Sequence, residues 1–155
     1  MPRGPGRLTN DPARDSYPAW APDGRSIAFL RTASGGGSEV RLVPPIGGPE
    51  RLVATLDTGY TFGLAWATDS RHLIVSDHAS PSGIVSLFLL DIESGRREQL
   101  TWTSDPRSAD GLAASSPDGR NLAFIRAAPN AFELYVAPAD GGEPRGLAPS
   151  WGMGH

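Results

Sequence analysis

The side chains of this sequence that most invite a catalytic or metal-binding reading are His72, Asp77 and His78. Imidazole beside carboxylate is the pairing that both general acid–base chemistry and zinc ligation use. The spacing works against that use. In an extended segment successive side chains alternate between faces, so His72 and Asp77 point to opposite sides. His72 then reads as a strand-edge residue beside Arg71, and Asp77-His78 as the start of a polar loop. His155, the last residue, reads as a frayed end. No Gly-x-Ser-x-Gly nucleophile turn occurs. The run Gly35-Gly36-Gly37 lacks the strand-to-helix setting of a phosphate or dinucleotide loop, and no Asp-rich calcium loop is present. The sequence therefore predicts no catalytic residue, no metal site and no cofactor, and a protein that is not an enzyme.

Composition narrows the classes further. All 14 basic residues are Arg, the formal net charge is −3, and cysteine is absent. Without Lys there is no Schiff-base chemistry and no phosphate-loop lysine. Without Cys there is no disulfide framework, thiolate metal site or thiol nucleophile. A mildly acidic chain also lacks the clustered basic surface that nucleic acid demands, so no nucleic-acid partner is expected. Residues 1–6 are basic, but polar residues follow instead of an apolar run, and apolar stretches run to no more than four residues, as in Leu87 to Leu90. Neither signal peptide nor membrane span is expected, which as it stands reads as cytoplasmic.

The elements that must position any site come from an internal repeat. Pro18-Ala19-Trp20-Ala21-Pro22-Asp23-Gly24-Arg25 precedes Ile27-Ala28-Phe29-Leu30. Leu64-Ala65-Trp66-Ala67-Thr68-Asp69-Ser70-Arg71 precedes Leu73-Ile74-Val75. Ala113-Ala114-Ser115-Ser116-Pro117-Asp118-Gly119-Arg120 precedes Leu122-Ala123-Phe124-Ile125. Third strands follow at Glu39 to Val43, Ser86 to Leu90 and Glu133 to Ala137. Gly-containing turns come next, then weaker strands centred on Val53, Leu100 and Leu147. In the tight turns Pro presets φ, Asp bonds its own backbone two residues on, and Gly accepts a positive φ. Thr68-Asp69-Ser70 departs from this chemistry, so its turn should be looser. Second strands that are apolar at consecutive positions need cover on both faces.

The Ala-Trp-Ala-Pro-Asp-Gly-Arg-x-Ile-Ala-Phe string resembles the TolB-type, WD-repeat-like β-propeller repeat, and the resemblance runs from about Tyr17 to Ala148. It implies an all-β fold of four-stranded antiparallel blades around a channel, often six of them. Similar repeats occur in periplasmic scaffolds, in sensor regions of bacterial regulators and beside peptidase domains. The implied division is a single three-bladed domain over 1–155, with an extra outer strand and loop at 1–16 and blades at 17–56, 60–102 and 111–150. Ser115 stands where the other repeats have Trp20 and Trp66, which puts the packing of that inner strand in question.

Three blades are too few for a ring, because propellers close with about four to eight. An open arc exposes two blade faces, and a twofold pair of arcs would hide both and give six blades, so a homodimer is expected, the alternatives being three chains that form nine blades or a truncated piece that stays open. Arg7-Leu8-Thr9 resembles the outer-strand ending Gln99-Leu100-Thr101. It is expected to close the ring by pairing with the partner chain in preference to the Pro- and Gly-broken segment 144–149. Arg31, Asp77 and Arg126 occupy equivalent second-strand ends, and with His78 they are the candidate binding residues on the loop face. The expected role is a non-enzymatic scaffold or protein- or peptide-binding module that self-assembles into a closed ring, and the minimal size also fits a fragment or an engineered or evolutionary model of ring assembly. The alternative is a detached propeller from a peptidase or glycan-processing enzyme.

Overall fold

The structure, a computed structural model, describes residues 6–57, 63–79 and 83–147. The segments 58–62 and 80–82 of two expected loops, His155 and the outer ends of the expected blades near 60 and 150 lie outside those residues. Among the described residues every regular element is a strand. None is a helix long and apolar enough to cross a membrane.

The twelve strands among the described residues follow the repeat. The first run is β1 (Asp15–Trp20), β2 (Ile27–Thr32), β3 (Ser38–Val43) and β4 (Arg51–Leu56), paired antiparallel in that order. The second comprises β5 (Leu64–Trp66), β6 (His72–His78), β7 (Val85–Asp91) and β8 (Arg97–Gln99). The third comprises β9 (Ala109–Ser115), β10 (Asn121–Ala128), β11 (Ala131–Pro138) and β12 (Arg145–Gly146). Sequence expected three separate sheets. Instead a single parallel pair, Val85↔Ala109, merges the second and third runs into one eight-stranded sheet that does not close on itself. The join arises because the chain entering β9 passes beside the start of β7, where the Ser108 carbonyl accepts the Val85 N–H at 3.4 Å.

The tight turns obey their residue chemistry. Asp23, Asp69 and Asp118 each accept the backbone N–H two residues on, at 2.9, 2.9 and 3.0 Å. Gly24 and Gly119 close their turns onto a carbonyl at 2.9 Å, whereas Ser70 does so at 3.4 Å, as expected of a side chain forced to φ 57°. The hairpin of the third run presses on the second: a Cβ at Gly119 would come within 2.5 Å of Thr68 Oγ1. A second repeated irregularity was not visible in the sequence. Tyr17, Gly63 and Leu112 hold equivalent places at φ 52°, 86° and 52°, and at Tyr17 and Leu112 the strand register shifts. These are bulges, which increase twist and re-aim the inner strand.

Two apolar seams join the runs. Between the first and second, Ala28, Leu30, Val40 and Leu42 meet Trp66, Leu73, Val75 and Leu90. Between the second and third, Ile74, Leu87 and Leu100 meet Leu122, Phe124 and Ala137. Consecutive residues of β2, β6 and β10 thus serve opposite faces, which is why these strands read as unbroken apolar runs.

Candidate functional site

The second-strand ends form a line of charge built by the repeat. Arg31 is the penultimate residue of β2 and is 4% exposed. Its guanidinium forks onto Asp15 across the register at 2.7 and 3.1 Å and reaches Glu50 at 2.6 Å. Asp11 lies 3.7 Å away and Phe29 lies under the cation at 5.3 Å. Arg126 repeats the arrangement on β10, forking onto fully buried Asp110 at 2.7 and 2.9 Å and lying over Tyr135 at 4.9 Å. Two such bonds in fixed geometry are the strong form of this ion pair. Burial pushes Asp15 upward, but the bonds from Arg31 and Thr9 outweigh it and hold the carboxyl below its ordinary range.

In the second run the sign is reversed. Asp77 stands at the Arg position, 2% exposed, and its counter-charge comes from the fourth strand: Arg97 pairs with it and also donates to the Thr55 carbonyl of the first run. Asp77 further accepts the Asp57 N–H at 3.0 Å and the His78 N–H at 2.9 Å. Asp77 and His78 therefore end strand β6 instead of opening a loop. Strand pairing opposite Ser86 and Val85 extends the ladder that far. Arg31, Asp77 and Arg126 are all engaged internally, and His78 is the exposed member of the four. The Asp-to-Arg separation of sixteen residues, Asp15–Arg31 and Asp110–Arg126, was a signal available in the sequence.

His72 is brought to a partner other than Asp77. Its Nδ1 lies 2.6 Å from Asp69 Oδ2, and its Nε2 lies 3.8 Å from Asp91. Burial raises Asp69, yet the Arg71 N–H and His72 together hold it low. Asp91, bonded by Arg71 and the Glu93 N–H, is pulled down to about 2. Asp69 and His72 line a groove of about 530 Å³ between the second and third runs, together with Ile74, Leu89, Arg120 and Asp140. Of the hydroxyls there, that of Ser115 is committed to the Trp66 carbonyl at 3.1 Å, and that of Thr68 lies against Gly119. No metal-ligating cluster occurs among the described residues.

The two outer sides form the other candidate surface. Trp66 is 7% exposed, and its indole N–H donates to the Ala19 carbonyl of the preceding run at 2.9 Å. Ser115, at the equivalent place, donates to the Trp66 carbonyl, one residue beyond the position that matches the tryptophan's acceptor. Trp20, the first member of the series, is 60% exposed. On the far side of the third run Leu112, Phe132 and Leu134 are also exposed. Leu8 and Thr9 are not strand-paired; they lie along an apolar groove with Pro18, Phe29 and Val43 on the first run. The outer edge of the third run is occupied by the short β12, opposite Tyr135 and Val136.

No family model matches the chain. Over 150 residues it is 23% identical to the "Uncharacterized peptidase YuxL" of Bacillus subtilis, covering 75% of this chain but 22% of that protein. The putative TolB from Agrobacterium tumefaciens superposes with a TM-score of 0.62 at 18% identity, over 92% of this chain and 65% of that one. The β-propeller domain of the Trilobed protease from Pyrococcus furiosus superposes with a TM-score of 0.55 at 16% identity, over 87% and 43%. The chain thus spans about a fifth of the peptidase relative and less than two thirds of either structure. The fold is TolB-type and propeller-like.

Proposed function

We propose that this TolB-type, propeller-like chain is a three-bladed arc, and that it works as a non-catalytic scaffold that joins a second copy to complete a six-bladed ring and binds protein or peptide on its loop face. One observation carries the reading: residues buried at the inner seams recur at the two outer sides in exposed form, Trp20 at 60% against Trp66 at 7%. Apolar side chains left bare in this way mark a surface that associates. The charged second-strand ends Arg31, Asp77 and Arg126 frame the loop face, and His78 stands beside them as the group open to a ligand. Arg7, Leu8 and Thr9 are the segment assigned to sealing the ring, Leu8 and Thr9 lying along the outer side of the first run with Phe29 and Val43. Each charge being internally paired favours a rigid frame over a charged ligand site, and the reading needs neither metal nor cofactor.

A second reading has its own support. The similarity to a peptidase over 75% of this chain, and to the propeller of a protease, fits a propeller portion of a larger hydrolytic protein. Light scattering of the 155-residue chain, followed by peptide-binding and peptide-hydrolysis assays, separates the two. The scaffold reading expects a discrete dimer of about twice the 16.3 kDa chain mass and peptide binding without turnover. A monomer at tens of micromolar, or turnover by the isolated chain, overturns it.

A further inference from the structure

Resting on the ring reading above, we propose that the ring is latched head to tail by Trp20: its indole seats on the open side of the third run of a second copy and donates to the Ala114 carbonyl there, while Tyr17 lies on that copy's Leu112. The molecule carries the precedent for both contacts within itself. Trp66 donates to the Ala19 carbonyl at 2.9 Å and shares an apolar cluster with Ala28, Leu30, Val40 and Leu42. Register transfers that seat to the third run, because Ala19 pairs with Ala28 as Ala114 pairs with Ala123. Leu30 and Val40 face each other across β2 and β3, as Ile125 and Leu134 do across β10 and β11. The seat is filled at the first run, where Ala28, Leu30 and Val40 are at most 1% exposed. At the third run it is bare: Ala114 is exposed and Leu134 is 46% exposed.

The bulges give the second precedent. Leu112 lies over Gly63, and a Cβ at Gly63 would be 3.2 Å from Leu112 Cδ2. The next step of the series sets Tyr17 over Leu112, and both are exposed, at 42% and 55%. The occupant is therefore a second copy, since one side of the chain carries the knob and the other its seat. Four strands at about 4.8 Å spacing and five residues at about 3.3 Å give roughly 300 Å² per face. On the first run Leu8 and Thr9 already lie along Phe29 and Val43, which are 4% and 2% exposed, so the contact centres on Trp20 and Tyr17 and buries less than two bare faces per seam would. The ion pair Arg41–Glu39 at 2.6 Å lies on β3 of the first run, where the second run has Phe88, a more polar outer side that suits copies which must stay soluble before they meet.

The test is sedimentation equilibrium and light scattering of the full 155-residue chain and of Trp20→Ala, Trp20→Phe and Trp102→Ala. Trp102 is the control, as exposed at 59% as Trp20 at 60%, but outside the seam. Circular dichroism verifies that each variant folds. Trp20→Ala should weaken association by about tenfold or more, as loss of a buried aromatic anchor does. Trp20→Phe should fall between it and the parent, Trp102→Ala should match the parent, and the Trp20 indole N–H should become protected from solvent exchange on association. If a discrete dimer forms but the Trp20 variants associate like the parent, the latch is overturned and the ring reading stands. If no copy associates, both fall. Mass that climbs without limit with concentration keeps the head-to-tail contact but overturns two-copy closure.

Discussion

The two inner seams join copies of one repeat by different means. The first sets an aromatic ring, Trp66, against Ala28 and Leu30, and adds hydrogen bonds from Trp66 to the Ala19 carbonyl, from the Asp23 N–H to Ser70, from the Asp57 N–H to Asp77 and from Arg97 to the Thr55 carbonyl. The second lacks that ring but keeps its polar links: Ser115 to the Trp66 carbonyl, Ser76 to the Asp110 carbonyl at 2.8 Å, and Arg126 to the Trp102 carbonyl at 3.3 Å. Phe124 stacked on Tyr135 at 5.7 Å supplies apolar mass from the other side. The seams thus differ in their apolar filling more than in their polar links, the second holding a serine where the first has the ring.

The contrast can be broken at its strongest point first. Trp66→Ala should destabilise the chain by about 3–5 kcal/mol, as truncation of a large buried side chain does. Denaturant unfolding would read this, and a cost under 1 kcal/mol would show that the ring does not hold the first seam. Asp110→Ala leaves Arg126 facing an emptied fork and should cost about 3 kcal/mol, the cost of stranding one partner of a buried pair. A comparable cost for removing Asp91, whose partner Arg71 is exposed, would contradict the distinction between buried and surface pairs. Ser115→Ala should cost about 1 kcal/mol, the scale of one hydrogen bond, and should open the second seam to amide exchange while leaving the first protected.

The smallest effect concerns acid. Asp91 is held at about 2 against an ordinary 3.8, so its contribution is complete above 3.8 and fades as the pH falls through about 2. A carboxyl-carbon titration by NMR should find that midpoint, and Arg71→Ala should raise it. An unmoved midpoint would remove Arg71 as the cause.

Much of this architecture was legible because turn chemistry is local. The Pro-Asp-Gly motifs, the serine at 70 with its longer closure, and the third strands all depend on residues a few places apart. Ion-pair partners were harder. His72 took Asp69, three residues back on the turn, rather than Asp77, and Asp77 took Arg97 from the fourth strand. Such choices depend on which strands meet, and alternation along one strand cannot supply that. The merger at Val85 and Ala109 was hidden for the same reason, since a backbone contact between runs has no side-chain signature. The bulge at Tyr17 and Leu112 was masked because only its middle copy, Gly63, carries the residue expected at positive φ.

Gly119 has an effect far from its own turn. With no room for even a methyl group against Thr68, it fixes how closely two hairpins stand and hence the tilt of everything beyond them. A repeat array behaves as a lever: an error of a few tenths of an ångström at the pivot grows along the arm. Shape at the distant rim is therefore specified by an atom that is missing, and no inventory of contact residues at that rim would reveal it.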